Sequence, residues 1–287
     1  MNIITVINAK GGVGKSTIAM SVAAGLAARG LRTLLIDMDP QAQVTQWLGA
    51  GDGLMAEGTL VVALEGKQTL DSIIQQTRFE NLSFVASSQG LEDLGRQITE
   101  VEGYPTLLTR LLASLADPFD IVVIDSPNQI SPVMENCIFP SDIFIVPFES
   151  TKAVRSYANF YQLLLNLRPG EEEGNESGHP GYRVLHVLSN LSRQPGLRQR
   201  VIETTEKHGI RLAQTEVRTC GWLAQVDENG GSIFEYRPHS KGAADMGALV
   251  SEVLQLLGRE HRAETLAATS NGAHGVAVDQ TKQHEAA

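Results

Sequence analysis

Short apolar runs alternate along this chain with longer stretches in which apolar residues recur at helical spacing. Ile3-Ile4-Thr5-Val6-Ile7, Thr33-Leu34-Leu35-Ile36-Asp37, Leu82-Ser83-Phe84-Val85-Ala86, Asp120 to Asp125, Ile143 to Val146 and Val184 to Leu188 read as strands. Several are apolar at nearly every position, as strands covered on both faces are. Helical periodicity spans Ile18 to Arg29, with Gly30 as its stop, then residues 41–48 after Pro40, Thr106 to Leu115, Val154 to Leu167 and Leu197 to His208. Ser240 is placed to cap a last helix running to about Leu257. Strands alternating with helices predict an α/β fold: a mostly parallel, twisted sheet with helices on both faces. Residues 49–58 are glycine-rich and 169–181 polar, so both are expected to be loops. There is no internal repeat. One domain over residues 1–258 is expected, followed by a small, polar stretch, 259–287, predicted to be a disordered tail.

Composition changes this picture little. At 287 residues with 42% hydrophobic content, the chain can bury a sizeable core. No run approaches the ~18 apolar residues of a membrane span. The N-terminus enters a strand without a charged and then apolar leader, so no signal peptide is expected. Cys137 and Cys220 are far apart and without metal-like spacing, as expected of indifferent thiols in a reducing cytosol. The net charge of −10 argues against a surface that coats DNA, though not against a local basic patch. Part of the acidity is gathered in Glu171-Glu172-Glu173-Gly174-Asn175-Glu176, read as a solvated loop.

The chemistry lies between the first strand and the first helix, in Lys10-Gly11-Gly12-Val13-Gly14-Lys15-Ser16-Thr17. The match to the phosphate-loop pattern G-x-x-x-x-G-K-[ST] is partial: Gly14-Lys15-Ser16 forms its end, and Ala9 stands where the first glycine would be. Glycines let the backbone take positive φ and bring successive N–H groups to a ligand. Those groups and the following helix N-terminus make an anion site. Lys15 is expected to reach the β and γ phosphates, Ser16 to ligate Mg²⁺, and Thr17 to sit near the α-phosphate.

Acids complete the expected site. In open parallel sheets ligands bind at the carboxyl ends of the strands. One strand ends in Asp37-Met38-Asp39-Pro40-Gln41 and another in Ile124-Asp125-Ser126-Pro127, both converging on the edge where the loop begins. Asp125, after a run of apolar residues, has the form of a Walker B acid holding Mg²⁺ through water. Asp37 can share that task, and Asp39 can orient the attacking water.

These three stretches together resemble the deviant Walker motifs of the ParA/MinD ATPases, a branch of the P-loop NTPase fold. They are most similar to the Soj-like ParA partitioning branch. Trp47-Leu48-Gly49 after Asp39-Pro40-Gln41, and Ile233-Phe234-Glu235-Tyr236-Arg237-Pro238-His239-Ser240-Lys241-Gly242-Ala243, add to the likeness, which covers residues 1 to about 257. The resemblance implies a weak, partner-stimulated ATPase using ATP and Mg²⁺. Lys10 resembles the signature lysine that reaches the partner's ATP across a dimer interface. Lys15 matches the Walker lysine, Asp39 the acid needed for hydrolysis, and Asn190 an adenine-recognising residue. It further implies a homodimer in the ATP state that binds DNA nonspecifically, a ParB-like or other adaptor, and a cytoplasmic, nucleoid-associated location without membrane attachment. Arg193, Arg198 and Arg200, supported by Arg237 and Lys241, are the candidate DNA contacts. Two features depart from the family pattern. Ser126-Pro127-Asn128 stands where two prolines often occur, and the acidic insertion at 171–176 and the extended tail have no counterpart.

Two alternatives belong to other classes. A membrane-surface positioning ATPase like MinD needs a C-terminal amphipathic helix, and the segment after Gly258 has no such face. An iron-protein-like or other metal-cluster ATPase needs cysteine thiolates. Cys137 follows the Walker B region but has no neighbouring ligand and no C-x-x-C.

Overall fold

The structure, a computed structural model, describes residues 1–49, 58–169, 181–190, 195–226 and 231–258. The acidic stretch 171–176, Arg193 and the tail 259–287 lie outside the described residues, as does most of 49–58.

In chain order the elements are β1 (Asn2–Val6), α1 (Lys15–Ala27), β2 (Thr33–Asp37), α2 (Gln43–Gly49), α3 (Leu60–Leu64), α4 (Leu70–Ile73), β3 (Gln75–Gln76), β4 (Leu82–Val85), α5 (Gly90–Gln97) and α6 (Leu107–Ala113). There follow β5 (Ile121–Asp125), α7 (Pro132–Ile138), β6 (Ile143–Phe148), α8 (Thr151–Leu167), β7 (Arg183–Ser189), α9 (Leu197–Lys207), β8 (Leu212–Val217), α10 (Ile233–Tyr236) and α11 (Lys241–Leu256). They build one 8-stranded sheet of order β3-β4-β2-β5-β1-β6-β7-β8. Every pairing is parallel except that of the short β3 with β4.

Alternation along the strands divides the core. Ile121 and Val123 of β5 face α1 and α11, while Val122 and Ile124 face the layer of α3 to α7. On β6, Phe144, Val146 and Phe148 pack under α8 with Phe160 and Tyr157. The predicted doubly covered parallel sheet is therefore present, and its apolar strands are apolar because each face meets helices. Ser240 does cap α11, its hydroxyl accepting from Ala243 N–H at 3.1 Å.

The structure also contains elements the apolar pattern does not single out. β8 is an edge strand paired only with β7, and its residues Leu212 to Glu216 are half-buried or exposed, so it needs few apolar positions. Helices α3, α4, α5 and α7 are too short to display more than a turn or two of periodicity. Helix α1 begins at Lys15, ahead of the first periodic apolar residue, because the loop backbone and not side-chain burial sets its start.

Candidate functional site

β1 carries the chain to the carboxyl edge of the sheet, between β5 and β6. There Ile7 N–H donates to Ile145 O at 2.9 Å and Asn8 Nδ2 to Pro147 O at 3.0 Å. The loop that follows is held from its neighbours. Ser156 Oγ on α8 donates to Ala9 O at 3.0 Å, and Ser189 Oγ at the end of β7 donates to Val13 O at 3.1 Å. Val13 is fully buried and pins the loop to the core. Gly12 and Gly14 have φ of +77° and +89°, which disfavours any residue with a Cβ. Gly14 is the N-cap of α1 and supplies no side-chain cap, so the first amides of this helix are left for an anion.

The loop forms one wall of a cavity of about 590 Å³. Gly11 to Thr17, Asp39 and Asn190 line it. Asn190 holds φ of +45° and donates its N–H to Val217 O at 2.8 Å, which sets the strand-end turn on the side opposite α2. Lys15 is 6% exposed, its Nζ donating to Lys10 O at 3.3 Å. Burial lowers its pKa, against the pull of Asp125 and Asp39 that favours the charged form.

Lys10 behaves differently from Lys15. It does not line the cavity, and its ammonium is turned toward the β6–α8 corner, where it pairs with Glu149. One lysine of the loop thus faces this protomer's own cavity and the other stands beside it.

Asp37 and Asp125 are fully buried and sit side by side in the β2–β5 register. The Asp37 carboxylate accepts from Thr45 N–H at 2.9 Å, Thr45 Oγ1 at 2.8 Å and Asp39 N–H at 3.1 Å. Burial nevertheless raises its pKa to about 6, opposed by the bonds from Thr45. Neither oxygen of Asp125 has a hydrogen-bond partner among the described residues. Burial and then the Asp37 charge push its pKa well up, while the nearby Ser16 hydroxyl and the Lys15 charge favour the ionised form. A buried carboxylate with no donor is costly unless a cation or a proton meets it. With Ser16 beside it, this donor set fits Mg²⁺, a hard cation taking oxygen ligands. Among the described residues no group of three or more His, Cys, Asp or Glu could hold a metal alone, so waters or phosphate oxygens would complete such a shell. Asp39 is 8% exposed, and its Oδ1 accepts from Gln41 N–H at 2.9 Å.

The rest of the cavity wall was not legible in the motifs. Gln43, Gln46 and Trp47 come from α2, and Arg218, Cys220 and Met246 from beyond β8. Trp47 is the one of these with a sequence signal, standing in the stretch after Asp39-Pro40-Gln41. Cys137 lies in α7, buried, with Sγ directed to Val133 O at 3.4 Å and its pKa pushed up by burial. Of the candidate DNA contacts among the described residues, Arg198, Arg200, Arg237 and Lys241, none lines the cavity. Arg198 and Arg200 lie on the first turn of α9, with Arg198 paired to Glu216 at 2.8 Å and Arg200 donating to Pro195 O at 3.2 Å. Arg237 follows α10 and lies 4.0 Å from the centre of the Trp222 ring, and Lys241 opens α11, exposed.

Comparison with known proteins agrees with the fold. The family model AAA_31, an AAA domain, matches residues 1–173. The chain is 28% identical over 252 residues to the cell division protein PomZ of Myxococcus xanthus, covering 88% of this chain and 77% of PomZ. It is 29% identical over 255 residues to the chromosome-partitioning ATPase Soj of Thermus thermophilus, covering 88% and 94%. In fold it is similar to cobyrinic acid a,c-diamide synthase of Mycobacterium smegmatis, solved with bound ADP and magnesium. There the TM-score is 0.71 at 22% identity, over 88% of this chain and 94% of that one. With the loop, the paired strand-end acids and this match in hand, the chain belongs to the ParA/MinD family of P-loop ATPases, within AAA_31.

Proposed function

We propose that this protein is an ATPase that dimerises when it binds ATP, attaches to DNA nonspecifically in that state, and positions or segregates a cargo through a ParB-like adaptor. The observation that carries the reading is the split between its two loop lysines: Lys15 faces the cavity, while Lys10 stands outside it on Glu149. A second cation held off its own phosphate site is available to another copy's. Two triphosphates brought face to face repel unless cations offset them, and Lys10 offered from each side does so.

Within one protomer the loop amides of Gly11 to Thr17 and the start of α1 would hold the phosphates. Lys15 would sit on the β and γ oxygens, and Asn190 and the wall beyond β8 would face the base. Ser16 and Asp125 would hold Mg²⁺, which when bound draws charge from the phosphates. Asp37 supports this edge from behind, fixing Thr45 and the backbone of Asp39. Asp39, at the cavity wall, orients the attacking water.

Light scattering with and without Mg·ATP tests the reading directly. The wild type is expected to double in mass with Mg·ATP. Lys10→Ala should bind ATP and stay monomeric, and Asp39→Ala should dimerise and stall before hydrolysis. A mass that never changes in the wild type, or a Lys10→Ala dimer, overturns the cross-subunit role. For DNA, a mobility assay at about 50 mM salt should show binding with ATP and much less with ADP or no nucleotide. Equal binding in all three states removes DNA from the proposal. Among the candidate contacts, Arg200→Glu and Lys241→Glu should weaken it most, since Arg198 is already paired with Glu216 and Arg237 with the Trp222 ring.

A further inference from the structure

The turn that leaves β5 passes beside the phosphate loop. Both of its ends are fixed. Ser126 is fully buried, and Pro127, also buried, has its φ set by its ring. Further on, Ser131 caps α7, its Oγ accepting from Met134 N–H at 3.3 Å. Between these anchors stands Asn128, half-buried, in the stretch where the sequence departs from the family's paired prolines. Asn128 lines the cavity of the loop. Its Nδ2 lies 3.6 Å from the place a Cβ on Gly11 would take, so the carboxamide stands over the entry of the loop.

Nothing in the backbone of the turn calls for asparagine. Asn81 and Asn190 hold a positive φ, where this residue type is favoured, and Asn128 does not. Among the described residues no hydrogen bond holds its carboxamide. A carboxamide offers two N–H donors, and here it offers them at the wall of an anion site.

Its place along the loop says which phosphate it faces. Lys15 Nζ, the cation for the β and γ oxygens, donates to Lys10 O, the carbonyl immediately ahead of Gly11. The carboxylates that pull on this ammonium are Asp125 and Asp39. Asn128 follows β5, on one side of β1, whereas Asn190 and Val217 reach the cavity from the ends of β7 and β8, on the other. The carboxamide therefore belongs to the end of the cavity that holds the loop lysine and the acids.

We propose, on the reading that this cavity holds ATP, that Asn128 Nδ2 donates to the oxygens of the terminal phosphate and so makes the site prefer ATP to ADP. ADP lacks the group this donor meets, so the contact is made with one nucleotide and not with the other. Asn128 is then a specificity-determining residue that acts within one protomer, whereas Lys10 acts on the partner.

Calorimetric titration of the full chain with Mg²⁺ and either ADP or the non-hydrolysable β,γ-imido analogue of ATP tests this by binding, without turnover. The wild type should bind both, the analogue more tightly. Asn128→Ala should weaken the analogue at least about tenfold, the loss of one hydrogen bond to a charged group, and change ADP by less than about twofold. Asn128→Asp keeps the shape but sets a carboxylate in place of the donor, and should weaken the analogue further. The selective loss should persist in the Lys10→Ala background, where the proposed dimer does not form. If the wild type binds neither nucleotide, the ATPase reading fails and this proposal with it. If the wild type binds both, and Asn128→Ala weakens both alike or neither, the assignment of Asn128 is overturned while the ATPase reading stands. A loss that disappears in the Lys10→Ala background belongs to the dimer and overturns the assignment as well. So does a variant that melts well below the wild type without nucleotide, because Asn128 then serves the turn.

Discussion

The ends of β2 and β5 lie side by side, and each presents a fully buried aspartate to its neighbour in register. What surrounds them differs. Asp37 accepts three hydrogen bonds, two from Thr45 and one from the amide of Asp39. Asp125 accepts none, although Ser16 and Lys15 stand close enough to favour its charge. Thr45 extends the first arrangement, its Oγ1 accepting from Ser87 N–H at 2.8 Å, so α2 and the end of β4 are tied to β2 through one carboxylate. The same residue type at the same sheet edge thus does two jobs. Asp37 holds a turn and a helix in place, and Asp125 is left without a donor, which in the proposed function leaves it for a ligand that brings positive charge.

The largest expected effect breaks this contrast on the Asp125 side. Asp125→Asn should reduce ATP hydrolysis by at least about 100-fold, because several kcal/mol of metal-derived charge stabilisation depends on the carboxylate. Folding stability should be unchanged or higher, since an unpartnered buried charge is removed. Phosphate release and urea unfolding check the two halves. A large loss of stability would mean that Asp125 is as structural as its neighbour.

Asp37→Asn should reverse the pattern. It sets an amide among donors, and the urea midpoint should fall by the equivalent of about 2 to 3 kcal/mol as buried N–H and O–H groups lose their acceptor. If stability holds and only hydrolysis falls, Asp37 belongs with the metal instead.

A pH titration of stability sharpens the contrast once a background slope is removed. Burial holds His186 at a pKa of about 4 against an ordinary 6.5, so in that window the unfolded chain binds more protons. Stability should therefore fall as pH drops from 6.5 toward 4, by up to about 3 kcal/mol. His186→Phe should flatten this slope. Asp37 has the opposite sign: with its pKa raised from 3.8 to about 6, the folded chain holds the extra proton. Its contribution is fullest below pH 3.8 and is lost as pH rises through about 6, and Asp37→Asn should abolish that part.

The smallest effect concerns the loop that both acids serve. A Cβ at Gly14 would meet nothing within 4 Å, so Gly14→Ala should cost only the strain of φ +89°, about 1 to 2 kcal/mol by thermal melting. A greater loss would mean that the loop cannot keep its course without glycine there.

Much of this was legible in the order of residues. Ile3 to Ile7, Thr33 to Asp37 and Asp120 to Asp125 are apolar enough to name themselves as central strands, and the glycines and lysines between strand and helix name the ligand class. β8 was not legible, because an edge strand half open to water has little need of apolar side chains. The far wall of the cavity, with Arg218, Cys220 and Met246, was hidden for another reason: those residues join the loop only after the chain has crossed the sheet to its edge and returned along α11.

The amino-acid sequence by itself determined the parallel sheet, the phosphate loop and the identity of the two strand-end acids, because periodicity and a local motif are properties of neighbours along the chain. Only the tertiary structure decided which acid is satisfied and which is left open, which loop lysine faces its own cavity, and that His186 is buried. Those outcomes rest on hydrogen bonds and burial between residues far apart in sequence: Thr45 and Ser87 beside Asp37, Glu149 beside Lys10, Phe148 and Arg211 around His186.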